Sequence, residues 1–176
     1  MRNARTTGFI LAVAFIATTG LLANQRQRAS PHETVTATVD GAKISVTYGR
    51  PYAKGRKIVG GLVPHGKIWR TGADEATTLV TDKALMFGST HVNPGTYTLY
   101  TLPEEKGWQL IINKQTGQWG TEYDEKQDLG RVPMTVTKTS GPVEQFTIEV
   151  ADTSSGGELR LSWENTQATA AFTVMK

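Results

Sequence analysis

The sequence predicts an all-β fold, a single antiparallel β-sandwich of about ten short strands, and three observations carry that prediction. Apolar and polar residues alternate with a period of two in segment after segment. Turn residues such as Asp40-Gly41, Asn93-Pro94-Gly95 and residues 154–157 (SSGG) separate those segments. No stretch longer than a turn or two keeps a helical period. Alternation gives a strand one buried and one wet face, as an antiparallel sheet packed on another sheet requires, and a closed barrel is the alternative arrangement.

The elements follow in order. Val35, Ala37 and Val39, then Ile44, Val46 and Tyr48, alternate on either side of Asp40-Gly41, a strong short-range hairpin signal. Residues 49–66 hold five glycines and two prolines, too broken for a helix and long for a plain connection; ordered loops of that length are often functional. Short strands are expected at residues 67–70, 77–81 and 84–87. A threonine- and tyrosine-rich strand over 96–102 forms a second hairpin with 108–113. Residues 114–130 make a second long polar connection with a helical turn near 124–129. Strands centred on Met134, Ile148, Leu161 and Phe172 close the chain, with Trp108 and Trp163 in phase with the core.

The N-terminus differs from the rest. Arg2 and Arg5 precede an uncharged, mostly apolar run over residues 9–23, shorter than the roughly 20 residues a membrane span needs. Residues 1–23 therefore read as an export signal, with an uncleaved N-terminal anchor as the alternative. Residues 24–30 read as a linker and 31–176 as one domain in a periplasmic or extracellular protein. A chain of 176 residues with 38% hydrophobic content can supply one sizeable core.

Composition excludes several classes of function. With no cysteine there is no disulfide, thiolate metal site or cysteine nucleophile. Of 19 basic and 16 acidic residues, two arginines and no acids lie in residues 1–23, so the remainder carries about +1. That is no field for nucleic acid. The chain lacks a Gly-x-Ser-x-Gly elbow, a Ser-x-x-Lys pair, a zinc-protease helix motif and a phosphate-binding glycine fingerprint in a strand-turn-helix setting. No cofactor follows from the sequence.

Residues 48–78, YGRPYAKGRKIVGGLVPHGKIWRTGADEAT, concentrate charge, glycine and aromatics between strand-like regions. Arg50, Lys54, Arg56 and Lys57, interleaved with Tyr52, could clamp a carboxylate, sulfate or phosphate; the plainer reading is a solvated loop with its arginines pinned by internal carboxylates. Arg70, Asp74 and Glu75 surround a glycine turn and could supply a general base or hard-metal ligands; the plainer reading is an Arg70–Asp74 ion pair that fixes the loop. Trp119 and Tyr123, beside glycines and Asp124, suit the face of a sugar, or Trp119 caps the sandwich edge. His32, His65 and His91 have no metal-ligand spacing.

The segments SPHETV (residues 30–35), YGRPYAKGRKIVGGLVP (48–64), WRTGADEATT (69–78), PGTYTLYTLP (94–103), WQLIINKQTGQWG (108–120), PVEQFTI (142–148) and LRLSWENT (159–166) resemble the exported bacterial β-domain proteins grouped as domain of unknown function 2911. The resemblance implies one exported β-sandwich-like domain in a bacterial envelope and brings no catalytic assignment. Three expectations stand together. The first is a non-catalytic domain binding a small polar, anionic or glycan-like ligand through Arg50, Tyr52, Arg56, Arg70, Asp74 and Glu75, with Trp119 and Tyr123 as a rim. The second is a metal-assisted hydrolase or isomerase using His65 or His91 with Asp74 or Glu75. The third is a structural module docking on an envelope protein.

Overall fold

The structure, a computed structural model, describes residue 28 and residues 30–175. The expected signal or anchor and most of the linker lie outside the described residues. Among the described residues no helix is long and apolar enough to cross a membrane.

Among the described residues nine antiparallel strands form one sheet that is not closed into a barrel. They are β1 (His32–Val39), β2 (Ala42–Gly49), β3 (Thr78–Thr81), β4 (Leu85–Phe87), β5 (Thr90–Val92), β6 (Gly95–Glu104), β7 (Gly107–Asn113), β8 (Asp128–Thr153) and β9 (Gly156–Val174), in the order β1-β2-β3-β6-β7-β8-β9-β4-β5. The first hairpin forms as its sequence dictates. Val39 pairs with Ala42 across Asp40 and Gly41, whose φ values of 46° and 76° are those of a tight turn matched to strand twist. The second pairs Thr98 with Asn113 through to Glu104 with Gly107, continuing through Pro103.

Alternation becomes burial. Ala42, Ile44, Val46 and Tyr48 of β2 share one core with Phe146 and Ile148 of β8 and Leu159, Leu161 and Trp163 of β9, so the two ends of the sheet fold over a single interior. Tyr48 ties them together: its ring meets the edge of Phe146 at 5.7 Å, and its hydroxyl accepts the Ile148 N–H at 2.9 Å.

Two expectations are corrected, and one strand was not anticipated. The strands centred on Met134 and Ile148 are one 26-residue β8, and those centred on Leu161 and Phe172 one 19-residue β9. β8 pairs with β7 up to Met134 and with β9 from Thr135 on, and register shifts between Lys138 and Val143 and between Val143 and Thr147 interrupt the latter ladder without ending the strand. The strand expected at 67–70 shrinks to a single bridge, Trp69 to Thr101, because Gly66 and Gly72 break the segment on both sides. Thr90–Val92, too short to show alternation, is a strand that sequence reasoning missed. The expected helical turn is a 3-10 turn at Glu125–Gln127, capped by the Asp124 side chain accepting the Lys126 N–H.

β2 and β3 are neighbours in the sheet, Thr47 facing Thr78. Residues 50–77 therefore leave and re-enter at adjacent points and cover one end of the folded sheet. They are stitched down: Phe146 N–H donates to Pro51 O at 2.9 Å, Ala53 N–H to Glu144 O at 2.7 Å and Trp69 N–H to Thr101 O at 2.8 Å. Ile58 and Val63 plug the core, 1% and 0% exposed.

Candidate functional site

A cleft of about 790 Å³ opens at that end of the sheet, within the roughly 300–1,000 Å³ typical of small-molecule sites. Its walls come from Ser30, the loop around Tyr52, Lys54 and Arg56, the loop from Ile68 to Asp74, and Gly120, Thr121 and Tyr123. Tyr100 of β6 and Trp163 of β9 reach it from the sheet. Trp69 stacks on Trp163 with centroids 5.8 Å apart and planes at 20°, and meets Phe146 edge-on at 5.0 Å, so one aromatic cluster links the core to the cleft.

The loop from Arg70 to Asp74 is held in an uncommon conformation. Thr71 and Asp74 have φ of 54° and 63°, the left-handed region that a β-branched residue such as Thr71 strongly avoids. Buried hydroxyls hold it there: Thr77 Oγ1 donates to Thr71 O at 2.7 Å, and Thr71 Oγ1 lies 3.2 Å from Thr101 Oγ1. Strain that the surroundings over-determine in this way concentrates at binding and catalytic sites. Gly49 lets the loop sit this close, since a Cβ there would lie 2.3 Å from Ala73 O. Gly120 makes room for the Arg70 stem, as its Cβ would lie 2.7 Å from Arg70 Cδ.

Of the residues singled out in the sequence, Tyr52, Arg56, Arg70, Asp74 and Tyr123 line this cleft. Arg50, Glu75 and Trp119 do not. Arg50 pairs with Glu33 and donates to Phe146 O at 3.1 Å and Thr147 Oγ1 at 2.9 Å, fastening β2 to β8. Trp119 bridges Glu75 in a short two-stranded contact. Glu75 faces Arg28 at 2.9 Å and His32 Nε2 at 2.9 Å. Burial pushes the Glu75 carboxyl up, but its own backbone N–H, the Arg28 hydrogen bond and charge, and His32 together hold it below the ordinary carboxylate value.

The expected Arg70–Asp74 ion pair does not form. Arg70 Nε donates to Gly72 O at 3.3 Å, and Asp74 instead accepts the Ser30 N–H at 3.2 Å. Asp74 sits in a left-handed turn with its carboxylate against the Ser30 N–H of the N-terminal segment. Sequence reasoning missed Ser30, Ile68 and Tyr100 as walls and read Trp163 as packing alone. No local pattern marks them, because they reach the cleft through long-range topology.

The histidines of the metal-site expectation are apart from the cleft. His65 lines a separate groove with Glu104 and Trp108, and His91 is exposed on β5. Among the described residues no three His, Asp or Glu side chains converge as metal ligands. His32 is the histidine beside Glu75, its Nε2 2.9 Å from Glu75 Oε2.

Tyr123 is fixed as a proton donor. Its hydroxyl donates to Asp128 Oδ2 at 2.7 Å and accepts from Arg131 at 3.1 Å. Burial first, then the hydrogen bond to Asp128 and that residue's charge, push its pKa from 10.0 up to about 12, with Arg131 opposing. The unfolded chain therefore releases this proton before the folded one does. The contribution to stability is whole below pH 10 and is lost as pH rises from 10 toward 12. Burial also raises Tyr48 and Tyr100. Following phenolate absorbance against pH is expected to show these three ionising late in the folded protein. Tyr123→Phe should flatten the fall in melting temperature between pH 10 and 12.

A family model described as Protein of unknown function (DUF2911) matches residues 30–172, the greater part of the chain. No curated protein and no solved structure matches it.

Proposed function

The chain belongs to that family, whose description states no function, and from this premise we propose that it is an exported, non-catalytic binding module that holds a small anionic ligand in the cleft. The observation that carries the reading is how the arginines are matched. Among the described residues Arg28, Arg50, Arg131 and Arg160 each face a carboxylate. Arg56 and Arg70, the two in the cleft, face none: Arg56 donates to the carbonyls of Tyr52 and Ala53, and Arg70 to that of Gly72. The Lys54 ammonium, also in the cleft, forms no ion pair among the described residues, although the Lys54 backbone N–H donates to Glu144 Oε1 at 2.9 Å. A guanidinium left without an anion on a strained, well-anchored loop is available to fork onto a carboxylate or phosphate. Export is supported by the basic start and apolar run of residues 1–23.

Isothermal titration with simple carboxylates and inorganic phosphate tests the reading. One saturable site whose affinity falls as salt is added is expected, because the cations are partly exposed and screened. Absence of saturable binding to any of these anions would remove the proposal.

A further inference from the structure

The nature of the ligand beyond its charge is written at the rim, and this step rests on the anion-site reading above. Among the described residues, few large hydrophobic side chains are strongly exposed, and two of them, Tyr52 at 40% and Leu62 at 48%, stand together on this cleft. Leu62 is held outward by construction. Its N–H bonds Lys57 O at 3.1 Å, its neighbour Val63 is fully buried, and a Cβ on Gly61 would lie 2.3 Å from Lys57 O, so the turn is tight and leaves Leu62 no route inward. From that rim an apolar surface runs inward over Ile68 and Trp69 to Arg70, which is half-buried where Lys54 and Arg56 are exposed.

A neutral sugar has no use for unmatched guanidinium groups and gains nothing by covering an aliphatic rim. A bare inorganic anion would leave Leu62 and Tyr52 in water. We infer that the ligand is an amphiphilic organic acid, its carboxylate on Arg70 and a ring-sized apolar body covering Tyr52 and Leu62. Exposed apolar side chains gathered at one site mark such contacts, whereas the same residues scattered singly do not.

The test is calorimetric titration of the purified protein with 2-naphthoate, glucuronate and acetate. Naphthoate should bind at least about tenfold more tightly than either, since removing roughly 55 Å² of apolar surface from water already corresponds to a factor of ten. Leu62→Ser, a change at an exposed position that leaves the core untouched, should weaken naphthoate by about three- to tenfold and leave acetate unchanged. Equal or tighter binding of glucuronate, with Leu62→Ser without effect, would overturn the amphiphilic class while leaving the anion site standing. If none of the three carboxylates binds, the amphiphilic acid is ruled out, and if inorganic phosphate also fails to bind the anion site falls with it.

Discussion

The Arg70→Ala protein is expected to bind carboxylate ligands about 10–150-fold more weakly than the parent while melting within about 1–6 °C of it. The two numbers come from different partners of one side chain. In the unliganded protein Arg70 makes a single hydrogen bond, 3.3 Å to Gly72 O, and has no carboxylate partner among the described residues. A bond of that kind contributes about 0.5–1.5 kcal/mol net, and a domain of this size shifts by about 2–4 °C per kcal/mol. Relief of repulsion from Lys54 and Arg56 acts in the opposite direction. The ligand, by contrast, loses a charge-assisted bond of about 1.5–3 kcal/mol, with 1.4 kcal/mol per decade of affinity. Arg50→Ala provides the contrast, because Arg50 joins Glu33 to the Phe146 and Thr147 backbone and side chain across the fold. It should melt lower than Arg70→Ala and leave the cleft cations in place. Calorimetric melting and titration of the two variants separate the roles. A large fall in melting temperature for Arg70→Ala with unchanged anion affinity would mean that Arg70 only holds the loop.

How much of this was legible in the sequence depended on range. The Asp40-Gly41 hairpin, the second hairpin and the buried phase of Trp108 and Trp163 are local, fixed by turn chemistry and period-two alternation, and they could be read directly. The merging of four expected strands into β8 and β9 could not. Strands centred on Met134 and Ile148 read as separate, yet the pairs Lys138–Thr166 and Val143–Glu164 continue one ladder across a bulge. The site was half legible. Residues 48–78 stood out because glycine and charge are dense there, and Tyr52, Arg56, Arg70 and Asp74 do come together from that stretch. The expected pair of Arg70 with Asp74 failed because spacing says nothing about φ. The left-handed turn at Asp74 and the arrival of Ser30 from another part of the chain decide which partner the carboxylate takes. Similarly, Glu33 is far from Arg50 in sequence but near it in space, because the β1–β2 register places His32 opposite Gly49.

Gly49→Ala is expected to lower the melting temperature by roughly 2–12 °C and to abolish ordered ligand binding along with it. Gly49 ends β2 and is paired with His32, so its backbone cannot slide without opening the first hairpin. The added Cβ would lie 2.3 Å from Ala73 O and 2.9 Å from Ala73 C, backbone atoms that no rotamer change can move. The loop from Thr71 to Asp74 must therefore yield, and it is the part of the fold already held at positive φ by buried threonine hydroxyls. Overpacking of this kind costs about 1–3 kcal/mol, which at about 2–4 °C per kcal/mol gives the range stated. Displacing that loop also moves Arg70 and takes the Asp74 carbonyl away from the Gly120 N–H, 2.9 Å apart in the parent. Gly141→Ala is the control, since a Cβ there meets nothing within 4 Å. It should melt and bind as the parent does. If Gly49→Ala also matched the parent in both respects, the close approach of β2 to this loop would not be what positions Arg70 at the cleft.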